Sequence, residues 1–167
     1  MKKIGFLGLG VMGLPMALNV LKKSGYPVLG FDVAQARLDQ FAAAGGETTS
    51  DPVDIYKTCD VIMQMLPTHP IIINSIKQAV QYGKPGNIIL DLDSTAPDII
   101  QELYPEVEAA GMHLLDSPVS GGNPMAIAGT LAIMTGGDKA VFEEVKPLLE
   151  CMGHPVYTGG SASGSIT

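Results

Sequence analysis

The sequence predicts an α/β fold: a doubly wound, mostly parallel sheet with extra strands near its C-terminal end. Short apolar runs alternate with helical patterns up to about residue 115. The connections between them are short, which favours right-handed crossovers and parallel pairing. The segment Val-Ile-Met-Gln-Met-Leu at 61–66 is almost continuously apolar, as in a strand covered on both faces. A length of 167 residues suits one domain with a sizeable core, here bounded as residues 1–160.

The elements follow in order. Residues 4–7 form the first strand, and a helical pattern starts at Val11. Residues 28–31 form the second strand, closed by Asp32. A helix over 34–44 is stopped by Gly45 and Gly46. Asp51 and Pro52 open a short helix as N-cap and first residue. Pro67 ends the strand at 61–66, and a helix runs through 71–80. The turn residues at 83–86 lead into a strand at 87–92. A helix over 98–110 contains Pro105, which is expected to kink or split it. Residues 112–115 form the next strand.

From residue 116 the pattern changes. Residues 116–124 read as a long loop, too polar and punctuated for an element. Residues 130–135 form a strand, Asp138 caps a helix reaching Glu150, and 155–158 form a last short strand. The Gly/Ser-rich stretch 159–165 reads as a flexible linker.

Composition excludes several function classes. A net charge of −7 without any basic run argues against a nucleic-acid partner. No uninterrupted apolar segment reaches the length of a membrane span. Met1, Lys2 and Lys3 before an apolar stretch resemble a secretory leader. Gly5, Gly8, Gly10, Gly13 and Pro15 interrupt that stretch, and no small-x-small cleavage site precedes Asn19. Cys59 and Cys151 have neither disulfide nor metal-type spacing, which fits reduced thiols in a cytoplasmic protein. No metal site is expected.

The chemistry begins at Gly8, Gly10 and Gly13, spaced G-x-G-x-x-G between a strand and a helix. The first glycine permits a tight turn, the second a close approach to a pyrophosphate, the third close helix–strand packing. The helix N-terminus then offers free N–H groups to phosphates. Asp32 stands where a carboxylate accepts the hydroxyls of an adenosine ribose, completing a dinucleotide-binding fingerprint. It also repels a 2′-phosphate, and no arginine follows directly, Arg37 being five residues on. NAD is therefore expected over NADP.

Ligands of such sheets bind outside the carboxyl ends of the strands. The loops there are 8–13, 66–70, 93–97 and 117–124. Ser120, Gly121 and Gly122 offer a hydroxyl and unhindered N–H groups suited to a carboxylate, though the glycines equally suit a tight turn. His69 lies on one of these loops, while His113 and His154 are scattered. None has triad or metal-type partners, so a hydride-transfer site here lacks a convincing proton donor.

Four segments together resemble the β-hydroxyacid dehydrogenases, the family of 3-hydroxyisobutyrate dehydrogenase and tartronate semialdehyde reductase. They are Gly-Phe-Leu-Gly-Leu-Gly-Val-Met-Gly-Leu-Pro-Met (5–16), Met-Leu-Pro (65–67), Asp-Ser-Pro-Val-Ser-Gly-Gly (116–122) and Ala-Gly-Thr-Leu-Ala-Ile-Met-Thr-Gly-Gly (128–137). The resemblance implies a Rossmann-type domain using a nicotinamide cofactor to interconvert a 3-hydroxy acid and its semialdehyde. It implies cofactor contacts from Gly8, Leu9, Gly10, Val11, Met12, Gly13, Asp32, Met65, Leu66 and Pro67. It implies that Ser120, Gly121 and Gly122 hold the carboxylate of a small hydroxy acid. The family pattern Asp-x-Ser-Thr-x-x-Pro, aligned on Pro97, places Asp93 at the Ser position and Ser94 at the Thr position. Ser94 and Thr95 carry over as cofactor contacts.

The family's catalytic lysine follows the pattern G-x-x-x-K-x-x-N. Gly164, Ser165, Ile166 and Thr167 match its first four positions, so the lysine is expected directly after Thr167. On this reading 161–167 start the connection to an all-helical second domain that is absent here, and the full-length parent is a homo-oligomer. The sequence as given is then expected to bind dinucleotide without turnover. An enzyme like 6-phosphogluconate dehydrogenase or an imine reductase, and a non-catalytic dinucleotide-binding module, remain the alternatives.

Overall fold

The five runs expected as strands up to residue 116 become strands of one parallel array in the computed structural model, which describes residues 2–166, and a short polar strand that the sequence did not signal, Glu47–Thr48, joins them at the edge. The strands are β1 (Ile4–Leu7), β2 (Val28–Phe31), β3 (Glu47–Thr48), β4 (Val61–Gln64), β5 (Ile88–Asp91) and β6 (His113–Asp116). They lie in the order β3-β2-β1-β4-β5-β6, so winding reverses direction between β1 and β4. That reversal opens the crevice in which doubly wound sheets take ligands.

Helices α1 (Gly13–Ser24), α2 (Gln35–Ala43), α3 (Val53–Thr58), α4 (His69–Tyr82) and α5 (Pro97–Ala109) make the crossovers. Side chains alternate between the faces of a strand, so each strand feeds two cores. Ile4, Phe6, Val61, Met63, Ile88 and Leu90 meet Met16 and Val20 of α1 on one face. Leu7, Ile62 and Ile89 meet Ile55, Ile76, Ile100 and Leu103 on the other. Burying each such aliphatic side chain stabilises the fold by about 1.5–3 kcal/mol. This two-sided cover explains why residues 61–66 show no alternation.

Beyond β6 come β7 (Val119–Ser120), α6 (Gly122–Ala128), β8 (Leu131–Gly136), α7 (Lys139–Glu150), β9 (Gly153–Gly159) and α8 (Ser163–Ile166). β8 runs antiparallel to β6 and β7, and β9 runs parallel to β8. Two expectations are corrected here. Residues 116–124 are not one long loop: Val119 and Ser120 pair with Ile133 and Ala132, and a helix starts at Gly122. That helix is too short for a periodic signal, and a distant residue secures it. The buried Asn19 amide of α1 donates to the carbonyls of Ala126 (2.8 Å) and Ile127 (3.3 Å).

Nor is 159–165 a free linker over its described part. Ala162 is fully buried and its N–H donates to Asp116 Oδ1 at 2.9 Å. Gly164 packs so closely that a Cβ there would lie 2.4 Å from the Met134 carbonyl oxygen. Glycine and serine here serve close approach rather than flexibility. Thr167, and with it the expected lysine position, lies outside the described residues.

Smaller differences are instructive. Pro105 leaves α5 as one element from Pro97 to Ala109; its missing N–H would have bonded the carbonyl of Gln101, an exposed residue. α3 starts at Val53, and Asp51 still accepts the Val53 N–H at 3.0 Å. No helix among the described residues is long and apolar enough to cross a membrane.

Asp138 caps α7 as expected, accepting the Val141 N–H at 3.1 Å. Asp138→Ala should cost about 1 kcal/mol, read as a lower urea midpoint at unchanged slope.

Candidate functional site

At the carboxyl end of β1 the chain turns sharply, and the three glycines of the turn meet three different surroundings. Gly8 takes φ +96°, and a Cβ there would sit 2.1 Å from the Met65 carbonyl oxygen. A Cβ on Gly13 would sit 1.9 Å from the Gly8 carbonyl oxygen. A Cβ on Gly10 would meet nothing within 4 Å. Gly8 and Gly13 are thus needed for the turn to close on itself, while Gly10 faces open space. No side chain caps α1; the Leu14 N–H donates to the Gly10 carbonyl at 3.0 Å and Pro15 has none, so the N–H groups ahead of Leu14 are the ones left to meet an anion. This arrangement fits a dinucleotide pyrophosphate.

Asp32 fixes the loop from the end of β2. Its Oδ2 accepts the Leu9 N–H at 2.8 Å and its Oδ1 the Ala34 N–H at 2.8 Å. A carboxylate offers about four lone-pair sites, so each oxygen keeps one for a ribose hydroxyl. Leu9 itself is fully buried, so only its backbone faces the turn. Val11 is exposed and Met12 half-buried. Together Gly8, Gly10, Val11, Met12, Gly13, Asp32, Met65, Leu66 and Pro67 line one cavity of about 490 Å³, with Phe31, Val33 and Ile71. Most of this lining is apolar, as a nucleoside requires.

A second cavity, about 520 Å³, lies over the ends of β5 and β6 and is lined by Ser94, Thr95, Pro97, Ser120, Met134 and Gly164 among others. Ser94, Ser120, Gly121 and Gly122 are exposed. Gly121 holds φ +138°, with Met125 so close that a Cβ would lie 2.6 Å from its sulfur. Thr95 is buried, and its hydroxyl donates to Asp91 Oδ2 at 2.6 Å. A residue the sequence did not single out joins the two halves: the Asn123 amide donates to the Val11 carbonyl at 2.8 Å. Only its place after Ser-Gly-Gly could have marked it.

Between the cavities lies a buried acid pair. Asp91 ends β5 fully buried, and Asp93 follows it at 5% exposure. Asp91 Oδ1 accepts from Gln64 Nε2 (3.4 Å) and the Asp93 N–H (3.3 Å). Asp93 Oδ1 accepts the Leu66 N–H at 2.8 Å. Burial, then the charge of Asp91, push the Asp93 carboxyl up to about 9. Burial also raises Asp91, against hydrogen bonds from Asp93, Thr95 and Gln64. Asp93 is therefore largely neutral at pH 7.

His69 is exposed and lines a further cavity of about 430 Å³ beside Asp93 and Ser94. Cys59 and Cys151 are both buried and free. Among the described residues no group of three or more His, Cys, Asp or Glu is placed to hold a metal ion.

Comparison with known proteins gives a consistent picture. Residues 3–160 match the family model of the NAD binding domain of 6-phosphogluconate dehydrogenase. The chain is 36% identical over 163 residues to an NAD-dependent L-serine dehydrogenase of Pseudomonas aeruginosa, covering 96% of this chain and 54% of that protein. It is 38% identical over 165 residues to the human mitochondrial 3-hydroxyisobutyrate dehydrogenase, covering 96% and 49% respectively. The solved structure of Mycobacterium tuberculosis 3-hydroxyisobutyrate dehydrogenase with L-serine superposes with a TM-score of 0.94 at 33% identity, over 99% of this chain and 57% of that one. The chain spans about half the length of the curated relatives it matches.

Two outcomes follow from this geometry. Gly13→Ala should destabilise by about 1–3 kcal/mol in urea unfolding, whereas Gly10→Ala should be within about 0.5 kcal/mol of the parent. The Asp93 carboxyl, raised when folded, favours the fold fully below its unfolded value, and that contribution is lost as pH rises toward 9. The melting-temperature advantage of Asp93→Asn over the parent should therefore widen between pH 4 and pH 9; a constant difference would contradict a raised Asp93.

Proposed function

The chain belongs to the β-hydroxyacid dehydrogenase family, carrying its NAD binding domain, and from that premise we propose that it binds NAD for oxidation of a small 3-hydroxy acid or reduction of the semialdehyde. One observation carries the reading: the open space at Gly10, between two glycines locked by close contacts, at the uncapped N-terminus of α1. In this reading the backbone from Gly8 to Gly13 holds the pyrophosphate. Asp32 accepts the adenosine ribose hydroxyls, and Met65, Leu66 and Pro67 form the apolar wall. Ser94 and Thr95 flank the nicotinamide end, which when bound supplies the hydride acceptor or donor.

Ser120, Gly121 and Gly122 hold the substrate carboxylate through hydroxyl and backbone N–H groups. Asn123 keeps this turn in register with the glycine loop. None of the residues lining the cavity beside Ser120 is lysine or arginine, which favours an unphosphorylated hydroxy acid over a sugar phosphate. Asp32 disfavours a 2′-phosphate, and Arg37 lines a separate groove beside Gly10 and Val11 rather than the cavity holding Asp32. The family's proton-transferring lysine falls at the position after Thr167, so a polypeptide of residues 1–167 binds the cofactor and does not turn over.

Titration of the 167-residue chain with NADH and NADPH tests this. NADH should bind at least about tenfold tighter, a difference of about 1.4 kcal/mol, and Gly10→Val should abolish binding without loss of fold. Equal or tighter NADPH binding would refute the cofactor assignment. Measurable steady-state oxidation of a 3-hydroxy acid by this polypeptide would refute the absence of turnover.

A further inference from the structure

The last residues of β4, β5 and β6 stand in register as a polar row, Gln64 beside Asp91 and Asp91 beside Asp116. All three are buried to 1% exposure or less, in the midst of an otherwise aliphatic sheet. Asp93 extends this row toward the Met65, Leu66 and Pro67 segment. Two atoms of the group lack any hydrogen-bond partner: Asp93 Oδ2 and Gln64 Oε1. Both are acceptors, and both are shut away from water. Buried acceptors are costly to leave unpaired, and two carboxylates side by side cannot both ionise cheaply. A single proton on the pair relieves both penalties, because a protonated Asp93 becomes the donor that its surroundings lack.

The other side of Asp93 bears on the site. Its Oδ1 accepts the Leu66 N–H, and Leu66 lines the cavity that also holds Gly10 and Asp32. Leu66 is otherwise at the exit of β4, followed by exposed Pro67 and Thr68. The geometry points to Asp93 as a positioning residue: Asp91 and Asp93 share one proton, and that proton keeps Asp93 seated so that it latches the Leu66 amide and the apolar wall of the dinucleotide cavity. Loss of the proton to solvent leaves two adjacent carboxylates and drives Asp93 outward, releasing Leu66.

The groups facing the pair are known from each side. Gln64 and the Leu66 backbone come from β4 and its exit, Thr95 and Ser94 from the loop, Asp116 from β6, and His69 from α4. No lysine or arginine lines the cavity that Asp93 shares with His69. His69, which lines that cavity, is exposed. The effect on the dinucleotide rests on the cofactor reading above; the proton sharing does not.

The test therefore has two arms. In the ligand-free chain, the Leu66 amide resonance is followed from pH 5 to 10.5 by ¹H–¹⁵N correlation. It should titrate with a midpoint near 9 in the parent and stay flat in Asp93→Asn, whose amide keeps an acceptor for Leu66 and a donor for Asp91. If Asp93→Asn fails to fold, Asp93→Ser replaces it. An unmoved Leu66 resonance, a midpoint below pH 6, or the same titration in the variant would each overturn the latch. In the second arm, the NADH dissociation constant is measured at pH 7 and pH 10. It should weaken about tenfold in the parent and change less than about twofold in the variant. Equal pH dependence in both proteins overturns the coupling to the cavity. Failure of NADH to bind at pH 7 overturns the functional reading instead, while the first arm still decides the latch.

Discussion

The approach of Gly13 to the Gly8 carbonyl is the contact on which the rest of the site depends. A methyl group there would stand 1.9 Å from that oxygen, so the start of α1 can lie against the end of β1 only with glycine present. Gly8 is held in the same way against the Met65 carbonyl, which brings the exit of β4 to the turn. These two approaches bring three segments to one point: the first turn of α1, the end of β1 and the Met65, Leu66 and Pro67 wall. Asp32 ties the turn to β2 through the Leu9 amide. The open side of Gly10 is what the packing of its neighbours leaves over.

Polar atoms in this fold gather where the parallel strands end. Inside the sheet, the β4 and β5 backbone is satisfied by ladder hydrogen bonds and the side chains are aliphatic. At the last register position the ladder stops, and Gln64, Asp91 and Asp116 take over. Gln64 donates to Asp91, and the acids, with Asp93, accept backbone N–H groups of the nearby loops: Asp91 from Asp93, Asp93 from Leu66, Asp116 from Ala162. The same carboxylates that order the loops also set the electrostatics between the two cavities. An acid at position 93 is tolerable because burial and its neighbour keep it mostly protonated.

Much of the first half was legible because its signals are local. A strand-turn-helix with glycines at fixed spacing, Pro67 after an apolar run and Asp138 before a helix are each decided within a few residues. The region after residue 116 was less legible because its order is made by distant partners. Val119 and Ser120 become a strand only by pairing with β8, and α6 is secured by Asn19 about a hundred residues earlier. The glycine- and serine-rich segment after β9 misled for a related reason: composition reports freedom of the backbone, and a carboxylate at Asp116 removes it.

By itself the sequence determined the doubly wound, mostly parallel class of the sheet, the place of the dinucleotide turn and the chemical character of the walls. These follow from apolar periodicity, from turn residues and from the charge of Asp32, all properties of short stretches. The tertiary structure decided what those stretches face. It turned the Thr95 hydroxyl inward to Asp91, seated Asn123 on the Val11 carbonyl and buried Asp93 beside a second acid. None of these was readable from spacing, because each depends on which side chains the sheet register brings together across separate crossovers.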